Sequence, residues 1–178
     1  MKLKYKILWI EDKEDYYDSV KDDIISIVNS YGFDINEGDI TYRENGSDFK
    51  EKNYSDFDMM LIDWDLGSEK GNNIINDIRL KGIYNEILFY SQNGADQLRE
   101  VISSEKIEGV FCSGKKEFIE TFEKIFEVNV RKVLDLNNLR GLVMAEVSDL
   151  DNLKTEIINL AYKNNVIDEK FSIQYERI

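Results

Sequence analysis

Met59-Met-Leu-Ile-Asp63-Trp-Asp-Leu-Gly-Ser-Glu-Lys-Gly71 is the stretch on which the fold turns. Four apolar residues run unbroken into a carboxylate. An unbroken run of that length reads as a strand buried on both faces, as in a parallel sheet covered by helices. Asp63 then sits at the carboxyl end of the strand, where open parallel sheets gather their binding loops. Working outward, Lys6 to Ile10, Asp39 to Tyr42, Glu86 to Tyr90 and Gly109 to Cys112 have the same character, which makes five strands. The spacing predicts four helices between them. The clearest carries Tyr16, Val20, Ile24, Ile27 and Tyr31 on one face and ends at Gly32. The same spacing recurs around Ile74 and Ile78, and around Leu98, Val101 and Ile102. A fifth helix, from near Lys115, buries Phe118, Phe122, Ile125 and Phe126. Residues 1–128 therefore read as an α/β (βα)5 unit, a doubly wound parallel sheet.

Beyond residue 128 the strands stop. Val133, Leu136, Leu139, Val143, Val147, Leu150, Leu153, Ile157 and Leu160 continue a helical stripe, so residues 129–178 form a C-terminal helical extension. Ser148-Asp-Leu-Asp151 has capping-box spacing and predicts a break into two helices, with one long helix as the alternative. Phe171 to Tyr175 alternates as an edge strand does, or forms a loose tail. The stripe must be covered, and a homodimer through it is one way to do so.

The 178 residues include no His, no Pro and one Cys. Without imidazole, Ser-His-Asp and Cys-His chemistry, His-ligated zinc and a phosphohistidine on this chain are excluded. Cys112 cannot form an internal disulfide, which points to a reducing compartment. Against 23 basic residues stand 36 acidic ones, a net charge of −13 that repels nucleic acid and anionic lipid. The extension carries 7 basic and 8 acidic residues, so nearly all of this charge belongs to residues 1–128. The extension lacks the basic face and Gly-containing turn of a helix-turn-helix. No stretch approaches the roughly 20 apolar residues that span a membrane, and the N-terminal apolar run is too short for a secretory signal. The expectation is a cytoplasmic protein with neither a nucleic-acid nor a membrane partner.

Chemistry is expected just after the strands. Glu11 and Asp12 follow the first, Asp63 the third, Ser91 the fourth, and Lys115 with Lys116 the fifth. Three carboxylates in one crevice repel unless a cation or a proton intervenes, and Mg²⁺, which prefers oxygen donors, suits them. Asp63 is then placed as a nucleophile toward a phosphoryl group, with a hydroxyl and an ammonium to bind its oxygens. Trp9 and Trp64 read as core, and Cys112 as a small hydrophobe.

These segments, Lys6-Ile-Leu-Trp-Ile-Glu-Asp12, Met59 to Gly71, Leu88-Phe-Tyr-Ser91 and Gly109-Val-Phe-Cys-Ser-Gly-Lys-Lys-Glu-Phe118, together resemble a CheY-like response-regulator receiver domain over residues 1–128. The resemblance implies a flavodoxin-like sheet of order 2-1-3-4-5 and a phosphoacceptor at Asp63. It implies Mg²⁺ bound directly by Asp12 and Asp63, by Glu11 through water and by the Asp65 carbonyl. Ser91 becomes the switch hydroxyl, a Lys after strand five its partner, and a sensor histidine kinase or phosphotransfer protein the donor. Leu66 and Gly71 also fall on family positions. The chain departs from the pattern where Gly67 replaces a usual Pro and where Gln92 replaces a small residue, which predicts a long-lived phosphoryl group. Aligning Phe111 with the family's switch aromatic puts the Lys position on Gly114, so Lys115 or Lys116 must serve. Lys115 is preferred, although Lys116-Glu-Phe118 keeps the family's spacing. Three other readings stand beside this one. The first is a pseudo-receiver that only binds protein. The second is a haloacid-dehalogenase-type phosphatase, because Asp63-Trp-Asp65 resembles its motif. The third is a Toprim-like site built from Glu11 with Asp63 and Asp65.

Overall fold

The computed structural model describes residues 3–46, 54–134 and 136–163, with the side chains of 132–138 set aside. The chain divides into two compact units, residues 1–128 and 129–178. In the first, β1 (Ile7–Ile10), β2 (Ile40–Arg43), β3 (Met59–Asp63), β4 (Glu86–Ser91) and β5 (Val110–Gly114) form one parallel sheet of order β2-β1-β3-β4-β5. All four residues of β1 and all five of β3 are buried, as unbroken apolar runs in a doubly covered sheet require.

Alternation along the strands sends successive side chains to opposite faces. Leu8, Ile10, Met60, Ile62, Ile87 and Phe89 join a core with Ile74, Ile75 and Ile78 of α2 (Gly71–Leu80) and Leu98 of α3 (Ala95–Glu105). On the opposite face Trp9 meets Tyr17 of α1 (Glu14–Ser30) edge-on at 5.2 Å and Phe118 of α4 (Phe118–Leu134) at 5.5 Å. Phe118, Phe122, Ile125 and Phe126 are buried there as their spacing predicts. The first helix ends at its expected place, with Gly32 at φ +91° just past the cap residue Tyr31.

Of the four predicted connecting helices, α1, α2 and α3 are present. Between β2 and β3 the described residues, 44–46 and 54–58, hold no α-helix and one 3-10 turn at Tyr54–Asp56, and residues 47–53 lie outside them. The predicted Phe171 to Tyr175 strand also lies outside the described residues.

The second unit contains α5 (Leu136–Lys163), 28 residues without interruption. The break predicted at Ser148 to Asp151 is absent. A capping box stabilises a helix start by about 1 kcal/mol, whereas continuing a helix adds a hydrogen bond per residue, and neither Gly nor Pro stands there to oppose it. Asp151 serves as an interior helix residue, its carbonyl accepting from Thr155 Oγ1 at 2.8 Å. No described helix is long and apolar enough to cross a membrane.

Candidate functional site

Parallel register brings the carboxyl ends of β1, β3, β4 and β5 to one edge. Ile10 pairs with Ile62, Asp63 with Tyr90, and Ser91 with Gly114. The residues following these pairs converge without any unusual backbone. Glu11, Asp12 and Asp63 each place a carboxylate oxygen within 4.8 Å of the others. Glu11 and Asp63 are buried and Asp12 is exposed, so the cluster opens to solvent on one side.

Lys115 completes it. Its ammonium lies 2.7 Å from Glu11 Oε2 and 3.0 Å from Asp63 Oδ2, with its side chain nearly buried. Asp63 Oδ1 accepts from the Trp64 amide at 2.8 Å, and Glu11 Oε1 accepts from the Lys13 amide at 3.1 Å. The Tyr90 hydroxyl donates to Glu11 Oε2 at 3.1 Å while accepting from the Trp9 indole N–H at 2.7 Å. The ammonium also lies 4.2 Å from the centre of the Tyr16 ring, a cation–π contact. Burial pushes Glu11 up to about 7, with Lys115 pulling the other way, and burial likewise raises Asp63. With all three acids ionised, three carboxylates against one ammonium leave two negative charges among oxygen donors at a partly enclosed site. That donor set fits a hard divalent cation such as Mg²⁺.

The remaining predicted residues divide. Ser91 is buried at the end of β4, its Oγ accepting from the Asn93 amide at 3.1 Å. The Ser91 carbonyl accepts from the Lys115 amide at 3.0 Å, which fixes where Lys115 leaves β5. Lys116, the other candidate, is exposed, and no described contact joins it to the acids. Asp65 stands apart, its exposed carboxylate paired with Lys70 at 2.8 Å, which leaves only the main-chain carbonyl for the role the resemblance gives it. Trp9 is fully buried and Trp64 half-buried, while Cys112 is half-buried and its thiol is pushed up by burial.

Two glycines explain the loop after Asp63. Gly67 sits at φ +70°, which proline's ring forbids, so the family's usual Pro does not fit this loop. A Cβ on Gly71 would lie 2.2 Å from the Asp63 carbonyl oxygen, so α2 starts this close to β3 only with glycine there.

Tyr90, Trp9 and Tyr16 were not foreseen as site residues. Trp9 carried a usable signal, since it lies two residues before Glu11 and so shares its strand face. Tyr90 reaches Glu11 only through strand pairing across the sheet.

No protein-family profile matches the sequence, and no curated protein matches it. Among solved structures, the chain is similar to the signal receiver domain of a Luxo repressor protein from Vibrio parahaemolyticus. That match has a TM-score of 0.51 and 17% identity, over 80% of this chain and 98% of that one. It is similar to the Vibrio cholerae chemotaxis protein CheY4, with TM-score 0.50 and 14% identity over 71% and 98%. It is also similar to the Escherichia coli RcsC C-terminus, which contains a phosphoreceiver domain, with TM-score 0.51 and 20% identity over 74% and 49%. The fold is that of CheY-like response-regulator receiver domains, with a helix appended at the C-terminus.

Proposed function

We propose that the protein is a cytoplasmic response regulator that accepts a phosphoryl group on Asp63 and signals through protein contacts. The observation that supports this most is the convergence of Glu11, Asp12 and Asp63 with the Lys115 ammonium at the carboxyl edge of the sheet. The donor is a phosphohistidine on a sensor kinase or phosphotransfer protein, since this chain has no His of its own. An Asp63 carboxylate oxygen attacks phosphorus. The new O–P bond forms as the P–N bond breaks, and the imidazole leaves with the electron pair and takes up a proton. Lys115 moves from balancing two carboxylates to binding a phosphoryl oxygen, and Ser91 supplies a hydroxyl to another. Mg²⁺ would be held by Asp12, Asp63, Glu11 and the Asp65 carbonyl, and would neutralise charge on the transferring group. Phosphorylation adds about two negative charges and three acceptor oxygens, which draw Ser91 and Lys115 inward and shift the loop leading into α3.

The protein in this reading is a phosphoacceptor with at most slow self-dephosphorylation, not a turnover enzyme. The haloacid-dehalogenase reading needs Asp65 as a general acid, yet its carboxylate is paired with Lys70 in solvent. The Toprim-like reading needs a basic path for nucleic acid, and residues 1–128 carry 16 basic against 28 acidic side chains.

Intact mass after incubation with acetyl phosphate and Mg²⁺ tests the proposal. One phosphoryl group is expected on the wild type and none on Asp63→Asn. Failure of the wild type both to gain the group and to bind beryllofluoride would leave a pseudo-receiver. Steady turnover of a phosphomonoester would make the protein a phosphatase.

A further inference from the structure

The apolar side chains of α5 follow a heptad pattern along its whole length. Val143, Leu150 and Ile157 are spaced by seven. Leu139, Leu153 and Leu160 fall on a second seven-residue series, offset by three, with Glu146 at its remaining position. The combined period is 3.5, the repeat that keeps one seam facing a partner helix in a left-handed coiled coil. A helix that covers the core of its own domain instead shows a broader stripe of period 3.6. Along the seam Leu139 is 36%, Val143 61%, Leu150 56%, Leu153 54% and Ile157 65% exposed.

We infer that α5 pairs in parallel and in register with α5 of a second copy of this chain, as a two-stranded coiled coil. Naming the first series a and the second d, two of the three a residues, Val143 and Ile157, are β-branched, with Leu150 between them, and Leu139, Leu153 and Leu160 stand at d, a set in which β-branched a residues over Leu at d favour two strands. The flanking positions select the parallel orientation. Asp149 lies at g and Lys154 at the following e, so in a parallel pair each Asp149 faces the other copy's Lys154, twice by symmetry. Lys154 is available for this. Its contact with Asp151 on its own helix is loose, at 3.4 Å, with both side chains about 70% exposed. Leu142 at g and Val147 at the next e, both about half exposed, meet in the same way beside the Glu146 layer, widening the apolar seam where it is interrupted. An antiparallel pair over the same layers sets g against g, which brings Asp149 against Glu156. The 28 residues of α5 supply four heptads, about 42 Å at 1.5 Å per residue. The pairing does not depend on phosphorylation of Asp63.

Three measurements on the full chain test this, with circular dichroism confirming that each variant keeps its helix. Sedimentation equilibrium at micromolar concentration should give a dimer, and Leu150→Asp with Leu153→Asp a monomer. In a Cys112→Ala background, Leu153→Cys at the seam should form a covalent dimer on oxidation, whereas Ser148→Cys on the outer face should not. Asp149→Lys and Lys154→Asp should each raise the dissociation constant about fivefold, as expected for two exposed ion pairs, and the double variant should restore it. A monomeric wild type, in which another segment or a different protein covers the seam, overturns the inference, as does a trimer. Cross-linking through Ser148→Cys alone, or a double variant as weak as either single one, removes the parallel register.

Discussion

Residues 1–128 and helix α5 share Leu, Ile, Val and Met and treat them in opposite ways. In the first unit Trp9, Ile24, Met60, Phe89 and Phe122 have no solvent exposure at all. In α5, Val143, Met144, Leu150 and Ile157 are each more than half exposed. The aliphatic residues that the two regions share do not by themselves say which are covered. Their setting does: apolar runs and the helices packed on them find their cover within the first unit, whereas the heptad seam of α5 asks for a second helix. In the first unit burial also strengthens electrostatics, because enclosure makes Glu11, Asp63 and Lys115 interact strongly.

The largest effect separating the regions is expected in the core. Phe122→Ala should lower the free energy of unfolding of the first unit by about 3–5 kcal/mol, the cost of truncating a fully enclosed aromatic ring. Leu153→Ala, equally apolar but 54% exposed, should change it by less than about 0.5 kcal/mol and act on self-association instead. Denaturant titration at low protein concentration, followed by a domain Trp signal, makes the comparison. Equal losses would mean that α5 is covered like the core.

Within the first unit the same contrast applies to two adjacent lysines. Removing the enclosed Lys115 ammonium takes away the cation facing Asp63, so Lys115→Ala should slow phosphoryl uptake from acetyl phosphate by about 10²-fold. Exposed Lys116→Ala should leave the rate within about twofold, since solvent already screens its charge. Comparable rates for the two variants would reassign the role.

The difference between those lysines shows how far the sequence could be read. The strand positions and the acids at the strand ends follow from apolar runs, because in a doubly covered sheet the run and the strand coincide, whereas the order 2-1-3-4-5 comes only with the family resemblance. Lys115 against Lys116 was open because the reading ended β5 at Cys112, where small polar Ser113 and Gly114 look like a turn. They instead continue the ladder, opposite Tyr90 and Ser91, so the first residue beyond the strand is Lys115. Ser148 misled for a related reason. Its capping signal is local, and propagation of an established helix outweighs it. The Trp9–Tyr90–Glu11 chain was illegible except for the shared strand face of Trp9 and Glu11, because residues 79 and more positions apart meet only after β1, β3 and β4 pair.

Burial also makes the first unit sensitive to pH in a way that α5 is not. Glu11 is raised from an ordinary value near 4.5 to about 7, chiefly by desolvation, so the folded protein holds this proton more tightly than the unfolded chain. The stability linked to it is complete below the unfolded value and is lost as pH rises through the folded one. Asp63 is raised in the same direction. Without divalent cations the first unit should therefore melt at lower temperature at pH 8 than at pH 6. Added Mg²⁺ should narrow the gap at pH 8 by compensating the charge, and Glu11→Gln should flatten the dependence. A wild-type melting temperature unchanged from pH 6 to 8 would show that Lys115 already balances both acids.

The smallest effect is expected at an exposed position beside the buried site. Gln92 directly follows buried Ser91 and is itself in solvent, where it replaces the small residue usual in receiver domains. In the proposed function, a long polar side chain next to Ser91 would hinder water from reaching a phosphoryl group on Asp63. Gln92→Ala should then shorten the lifetime of phosphorylated protein severalfold and leave the rate of uptake unchanged, because the proposed function makes uptake depend on Asp63, Lys115 and a divalent cation. Decay followed by intact mass after removal of acetyl phosphate separates the two rates. Equal decay in both proteins would place control of the lifetime with the enclosed residues alone, and the contrast between buried chemistry and exposed surface would then hold without exception in the first unit.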